Sequence, residues 1–122
     1  HRMIAELRSV VLDTPDPAAL ATFYAAITGW KTVADEPDWV TLQDEGGGVR
    51  LAFQLAPDHQ PPRWPDPNFP QQSHLDFTVT DIDSGEQQVL GLGATALPTP
   101  GDAENFRVYA DPHGHPFCLC WD

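Results

Sequence analysis

Residues 73–97, SHLDFTVTDIDSGEQQVLGLGATAL, read as strand, turn, helix, turn and strand. His74, Asp76 and Thr78 alternate with Leu75, Phe77 and Val79, so a strand here carries one polar and one apolar face. Thr80 or Asp81 can cap the helix that follows, and Gly91 and Gly93 can end it. The opening stretch, RSVVLDTPDPAALATFYAAITGWKTV (residues 8–33), is the same unit written earlier. An offset of 65 residues sets Ser9 on His74, Leu12 on Phe77 and Asp16 on Asp81. A single repeat of this kind indicates a duplicated module rather than a solenoid.

In order, the first copy predicts a strand over Leu7–Asp13 and a helix over Pro17–Thr28, with Asp16 as N-cap and Gly29 as stop. Short strands follow over Trp30–Val33, Trp39–Gln43 and Val49–Leu55. The second copy predicts strands over His74–Val79, Thr95–Leu97, Phe106–Ala110 and Pro116–Trp121, with a helix over Asp81–Leu92. An offset of 66 sets Val40 on Phe106, Leu42 on Val108, Leu51 on Phe117 and Phe53 on Leu119, apolar on apolar. The predicted class is α+β: two tandem βαβββ modules form a curved mixed-sheet cleft with the helices on the outer face. One domain covers 3–122, as module 1 (about 3–55), a connector (56–73) and module 2 (about 74–122). The connector holds six of the thirteen prolines together with Trp64 and Phe69, a composition for a pocket cover or a packing loop, not a core element.

The 122 residues suit one core. The net charge is −12, and Lys31 is the only lysine, which argues against nucleic acid or an anionic membrane as partner. No apolar run approaches the ~18 residues a membrane span needs. No signal peptide is evident, and His1-Arg2 ahead of Met3 reads as an appended remnant. Cys118 and Cys120 share a strand face and are poorly placed to bond to each other, so reduced thiols and a cytoplasmic location are expected.

Several pieces together resemble the vicinal-oxygen-chelate superfamily of glyoxalase, bleomycin-resistance and dioxygenase proteins. They are Asp16-Pro17, Phe23-Tyr24, Gly29-Trp30, His74-Leu75-Asp76-Phe77, Asp81-Ile82-Asp83, Leu92-Gly93-Ala94 and Asp111 to Leu119. Pro62-Arg63-Trp64-Pro65 and Pro70-Gln71-Gln72 are most similar to its actinobacterial glyoxalase-like subgroup. The resemblance implies a cleft open on the polar side of the sheets. In metal-dependent members it implies four ligands from His, Gln and Glu, two per module. Those positions here are Ser9, approximately Ala52, His74 and Cys118. Alanine cannot bind a metal and serine is a poor ligand, so no metal and no cofactor are expected; the alternative is a two-ligand site from His74 and Cys118, whose thiolate would favour zinc although zinc wants three or four protein ligands. The missing carboxylate in the last strand counts against glyoxalase I chemistry.

Alternation assigns Ser9, Val11, Asp13, Thr41, Gln43, Arg50, Ala52 and Gln54 to the cleft in the first module. In the second it assigns His74, Asp76, Thr78, Arg107, Tyr109, Cys118 and Cys120. The expected ligand-binding set is Asp13, Gln43, Arg50, Gln54, His74, Asp76, Arg107, Tyr109 and Cys118. The same charges also suit a solvated face on which Arg50 and Arg107 pair with Asp13 and Asp76. Trp39, Trp64 and Trp121 are candidate aromatic walls or packing residues, and His113 and His115 are expected in an exposed turn. The expected function is metal-independent binding of a small molecule by a homodimer. The alternative is a lyase, isomerase or dioxygenase-type enzyme with His74, Asp76 and Tyr109 as catalytic candidates, with or without an atypical metal site.

Overall fold

The computed structural model describes residues 3–122, and the expected His1-Arg2 remnant lies outside them. The chain forms two compact units, one ending at His59 and the other beginning at Gln60. The first contains β1 (Ser9–Thr14), α1 (Pro17–Thr28), β2 (Lys31–Glu36), β3 (Trp39–Gln43) and β4 (Arg50–Leu55). The sheet order is β1-β4-β3-β2. β1 runs parallel to β4, and the other pairs are antiparallel.

α1 starts where the sequence says it should. The Asp16 carboxylate accepts the Ala19 N–H at 3.1 Å, Pro17 fills the first helical position, and Gly29 ends the helix at φ 73°. Leu20, Phe23 and Tyr24 are buried, as are Leu12, Val40, Leu42, Leu51 and Phe53 of the sheet. Tyr24 stacks on Phe53 with centroids 5.7 Å apart. Each such ring contributes roughly 1.5–3 kcal/mol by leaving water. β2 extends to Glu36, beyond the short strand expected at Trp30–Val33, because Glu36 pairs with Trp39 and leaves only Pro37-Asp38 as the turn. Its side chains are mostly exposed, so hydrophobic pattern had little to mark its length.

The second unit repeats the plan with β5 (Leu75–Thr78), α2 (Ile82–Gly91), β6 (Thr95–Ala96), β7 (Phe106–Ala110) and β8 (Pro116–Cys120). The order β5-β8-β7-β6 matches the first sheet, again with the first and last strands parallel. The expected α+β pair of βαβββ modules is therefore the observed fold. Asp81 caps α2 by accepting the Ser84 N–H at 3.2 Å. Gly85 lets the helix lie close to the sheet: a Cβ there would stand 3.3 Å from Val79 and 3.5 Å from Leu119.

Most of the connector belongs to this second unit. It folds on itself, with the Arg63 N–H donating to the Phe69 carbonyl at 2.8 Å and the Arg63 guanidinium 4.4 Å above the Phe69 ring. Trp64 Nε1 donates to the Pro98 carbonyl at 3.0 Å. Pro61 lies against Gly114, where φ is +94° and any Cβ would collide with the proline ring.

Candidate functional site

The register between strands decides what the open face of the second sheet presents. β5 pairs Asp76 with Cys118 and Thr78 with Cys120. β7 pairs Phe106 with Cys120 and Val108 with Cys118. Directly opposed residues share a face, so Asp76, Cys118, Cys120, Phe106 and Val108 are neighbours on one side. A cleft of about 420 Å³ opens there, walled by Trp64, Phe106, Val108, Pro100 and Pro116 and edged by Gln71, His74, Asp76 and Asn105. Trp64 lines it from the connector. His113 and His115 are half-buried rather than exposed, because the turn is built on buried Asp111, whose carboxylate accepts both of their backbone N–H groups at 2.8 and 3.1 Å.

Arg107 and Tyr109 are a correction. They pair with Leu119 and Phe117, so they share the face that α2 covers, not the cleft. Tyr109 is fully buried, stacks on Phe117 at 5.5 Å and donates its hydroxyl to Glu86 at 2.8 Å. Burial and that carboxylate push its pKa well above the usual phenol range. Arg107 donates to Glu86 at 3.2 Å and to Asp83 at 3.4 Å, and its guanidinium lies over the Trp121 ring, 5.9 Å from the centroid. Burial works against its charge, but Glu86, Tyr109 and Asp83 together outweigh that and raise its pKa.

The reason is a one-residue difference between the modules. Leu42 pairs with Leu51, nine positions on, whereas Tyr109 pairs with Phe117, eight positions on. The true counterpart of Val40 is Arg107, at an offset of 67, and not Phe106. A slip of one residue exchanges every side chain between faces. On β7 the missed cleft residues are Phe106 and Val108; Gln71, Pro100, Asn105 and Pro116, from loops and a strand start, were missed as well. The available signal was the acidic pair Asp83 and Glu86, three apart on α2 and therefore on one helical face, waiting for a cation beneath.

In the first unit the register sets these residues side by side. Asp13 is opposite Gln54, Ser9 opposite Arg50, and Thr41 opposite Ala52. Gln43 donates to the Gly48 carbonyl at 2.8 Å and so braces its own hairpin. Trp39 donates to the Thr41 hydroxyl at 2.8 Å. This face carries Asp13, Arg50 and Gln54, but Ala52 offers no donor atom. The two-module ligand set implied by the superfamily resemblance therefore does not fit this chain.

The second unit gathers its chemistry at one point. His74 Nε2 lies 3.2 Å from Asp76 Oδ1. One ligand atom each from His74, Asp76 and Cys118 lie within 4.8 Å of one another. Burial first, then the Asp76 charge, push the Cys118 thiol up to about 12, so it stays protonated at neutral pH. Cys120 is raised for the same reasons. A thiol so held is no nucleophile, because the thiolate is the reactive form.

The sequence profile of the glyoxalase-like domain matches residues 9–120. The chain belongs to the glyoxalase-like domain family. The anthracycline biosynthesis protein DauV of Streptomyces sp. (strain C5) is 29% identical over 120 residues, covering 88% of this chain but 44% of that protein. The chain thus spans less than half the length of that relative. Among solved structures, a glyoxalase/bleomycin resistance/dioxygenase family enzyme from Burkholderia phytofirmans PsJN superposes with TM-score 0.75 at 19% identity, over 96% of this chain and 98% of that one. The fosfomycin resistance protein FosX from Listeria monocytogenes gives 0.72 at 16% identity, over 98% and 95% of the two chains. At these identities the likeness is one of fold, within the vicinal-oxygen-chelate superfamily.

Proposed function

We propose that this glyoxalase-like protein binds a small, largely apolar molecule in the cleft of its second unit, with the molecule's polar group directed at His74 and Asp76. The observation that carries this reading is the cleft itself: aromatic and aliphatic walls from Trp64, Phe106 and Val108 end at one convergent polar pair. Its volume of about 420 Å³ falls within the range of small-molecule sites. Among the described residues no lysine or arginine lines it, and the whole chain carries −12, so a neutral or cationic ligand is favoured over an anion. The name of one relative, tied to anthracycline biosynthesis, supports starting with antibiotic-like aromatic compounds.

Equilibrium binding against a panel of neutral and cationic aromatic compounds tests this. Phe106→Ala should weaken any hit about tenfold, the worth of a partly buried ring. Binding untouched by Phe106→Ala, or no binding across the panel, counts against the cleft. A second reading, an enzyme, rests on the His74–Asp76 contact, in which the carboxylate orients an imidazole able to move a proton. Tyr109 has no part in it, being under α2. With a substrate in hand, His74→Ala abolishes turnover in an enzyme and costs a binder only affinity. A homodimer in the cytoplasm completes the proposal, and sedimentation of the purified chain tests the dimer.

A further inference from the structure

We infer that His74, Asp76 and Cys118 form a binding site for a thiophilic divalent cation of the zinc class, built entirely within the second module. This differs from the two-module arrangement that the resemblance implies, which Ala52 rules out for this chain. Asp76 is not one of those four positions. It joins the site because it is opposite Cys118 in the register of β5 and β8 and two residues past His74 on the same face.

The donor set and the geometry agree. Imidazole nitrogen, carboxylate oxygen and thiolate sulfur are the ligands of catalytic zinc, which takes three protein donors and leaves a fourth position open. Bonds of ~2.0–2.1 Å to nitrogen and oxygen, at tetrahedral angles, set those two atoms about 3.3 Å apart. His74 Nε2 and Asp76 Oδ1 stand at 3.2 Å. All three donor atoms lie within 4.8 Å, so small side-chain rotations close the remaining edges. A single thiolate selects against magnesium and calcium, which prefer all-oxygen sites. Two of the donors are side chains that water and ions reach: His74 is 39% and Asp76 59% exposed. Cys118 is buried beneath them at the cleft floor. The open fourth position would face the apolar walls, where a ligand's oxygen or nitrogen sits in the binding reading above. The cation site does not depend on that reading.

Binding replaces the Cys118 thiol proton with the cation, so a proton is released as the bond forms. Cobalt(II) alone is the probe, added to purified, chelator-treated protein. Zinc competition then reports the class. The expected result is one equivalent bound, with a thiolate-to-cobalt charge-transfer band in the near ultraviolet and displacement by zinc. His74→Gln, Asp76→Asn and Cys118→Ser should each weaken binding by at least about tenfold, and Cys118→Ser should remove the charge-transfer band. The first two change exposed residues and keep the fold, so they carry the test if the buried serine destabilises the chain. A band lost instead in Cys120→Ser or in His115→Ala, or cobalt binding indifferent to all three changes, overturns the assignment. So does the absence of binding. None of those failures touches ligand binding measured in the presence of chelator, which separates the two proposals.

Discussion

The two modules share a plan of strands and a sheet order, yet they use their faces differently. Under α1 the first sheet presents Val40 and Leu42, and the buried side chains there carry no charge, Thr14 and Tyr24 being the polar ones. Under α2 the corresponding positions hold Arg107 and Tyr109, and the helix answers with Asp83 and Glu86. On the opposite face the contrast reverses. The first module offers Trp39, Thr41 and Ala52, whereas the second joins two apolar walls, Phe106 and Val108, to His74, Asp76 and Cys118. A duplicated fold has kept its backbone while one copy, with a turn one residue shorter between its last strands, turned polar groups inward under its helix and apolar ones outward into a cleft.

The largest effect is expected where the second core is most like the first. Phe117 is fully buried and touches both Phe77 and Tyr109. Phe117→Ala should cost about 3–5 kcal/mol in chemical denaturation, matching Phe53→Ala in the first module. A much smaller cost at Phe117 would mean that the second core is held mainly by its polar network.

Next comes that network. Glu86→Ala leaves a buried tyrosine hydroxyl and Arg107 without their shared partner, and should destabilise by about 1–3 kcal/mol. Small-molecule affinity should not change. If Glu86→Ala spared stability but altered binding, the faces of β7 would be the reverse of those described.

The thiol acts gradually, and less than the network within any one pH unit. An unfolded Cys118 ionises from about pH 9.0, while the folded thiol is pushed up to about 12. Between those values the unfolded chain binds fewer protons than the native one. Its contribution is therefore complete below pH 9.0 and falls away as pH rises towards about 12. The decline from this group is at most ~1.4 kcal/mol per pH unit. Denaturant midpoints measured across that alkaline window should fall less steeply in Cys118→Ala; an equally steep fall would place the sensitivity elsewhere, for instance at Tyr109.

The helix caps should differ least. Asp16→Ala and Asp81→Ala each lose one capping bond, worth about 1 kcal/mol. Thermal melts of the two variants should agree closely, since both caps make the same contact three residues on.

The sequence carried the fold well because its signals were local. Asp16-Pro17 and Gly29 mark α1 at both ends, and the echo of Ser9 in His74 marks the duplication. The register of β7 was not legible in the same way. Phe106 and Val108 look like core residues, and they matched Val40 and Leu42 at a constant offset. Nothing in the strand itself says that the helix above is acidic, so the polar Arg107 and Tyr109 were assigned to the cleft. Asp76 was recognised as a cleft residue but not as a donor beside His74 and Cys118, because only the pairing of β5 with β8 sets it against the thiol.

The contrast between the modules is sharpest at His74, Asp76 and Cys118, the donor group proposed to hold a cation. An anomalous-scattering map from crystals grown with zinc tests it most directly. One peak is expected about 2.0–2.1 Å from the His74 imidazole nitrogen and about 2.3 Å from Cys118 Sγ, with the Asp76 carboxylate as third ligand. A peak on His113 and His115, on residues of the first module, or no peak at all would contradict it.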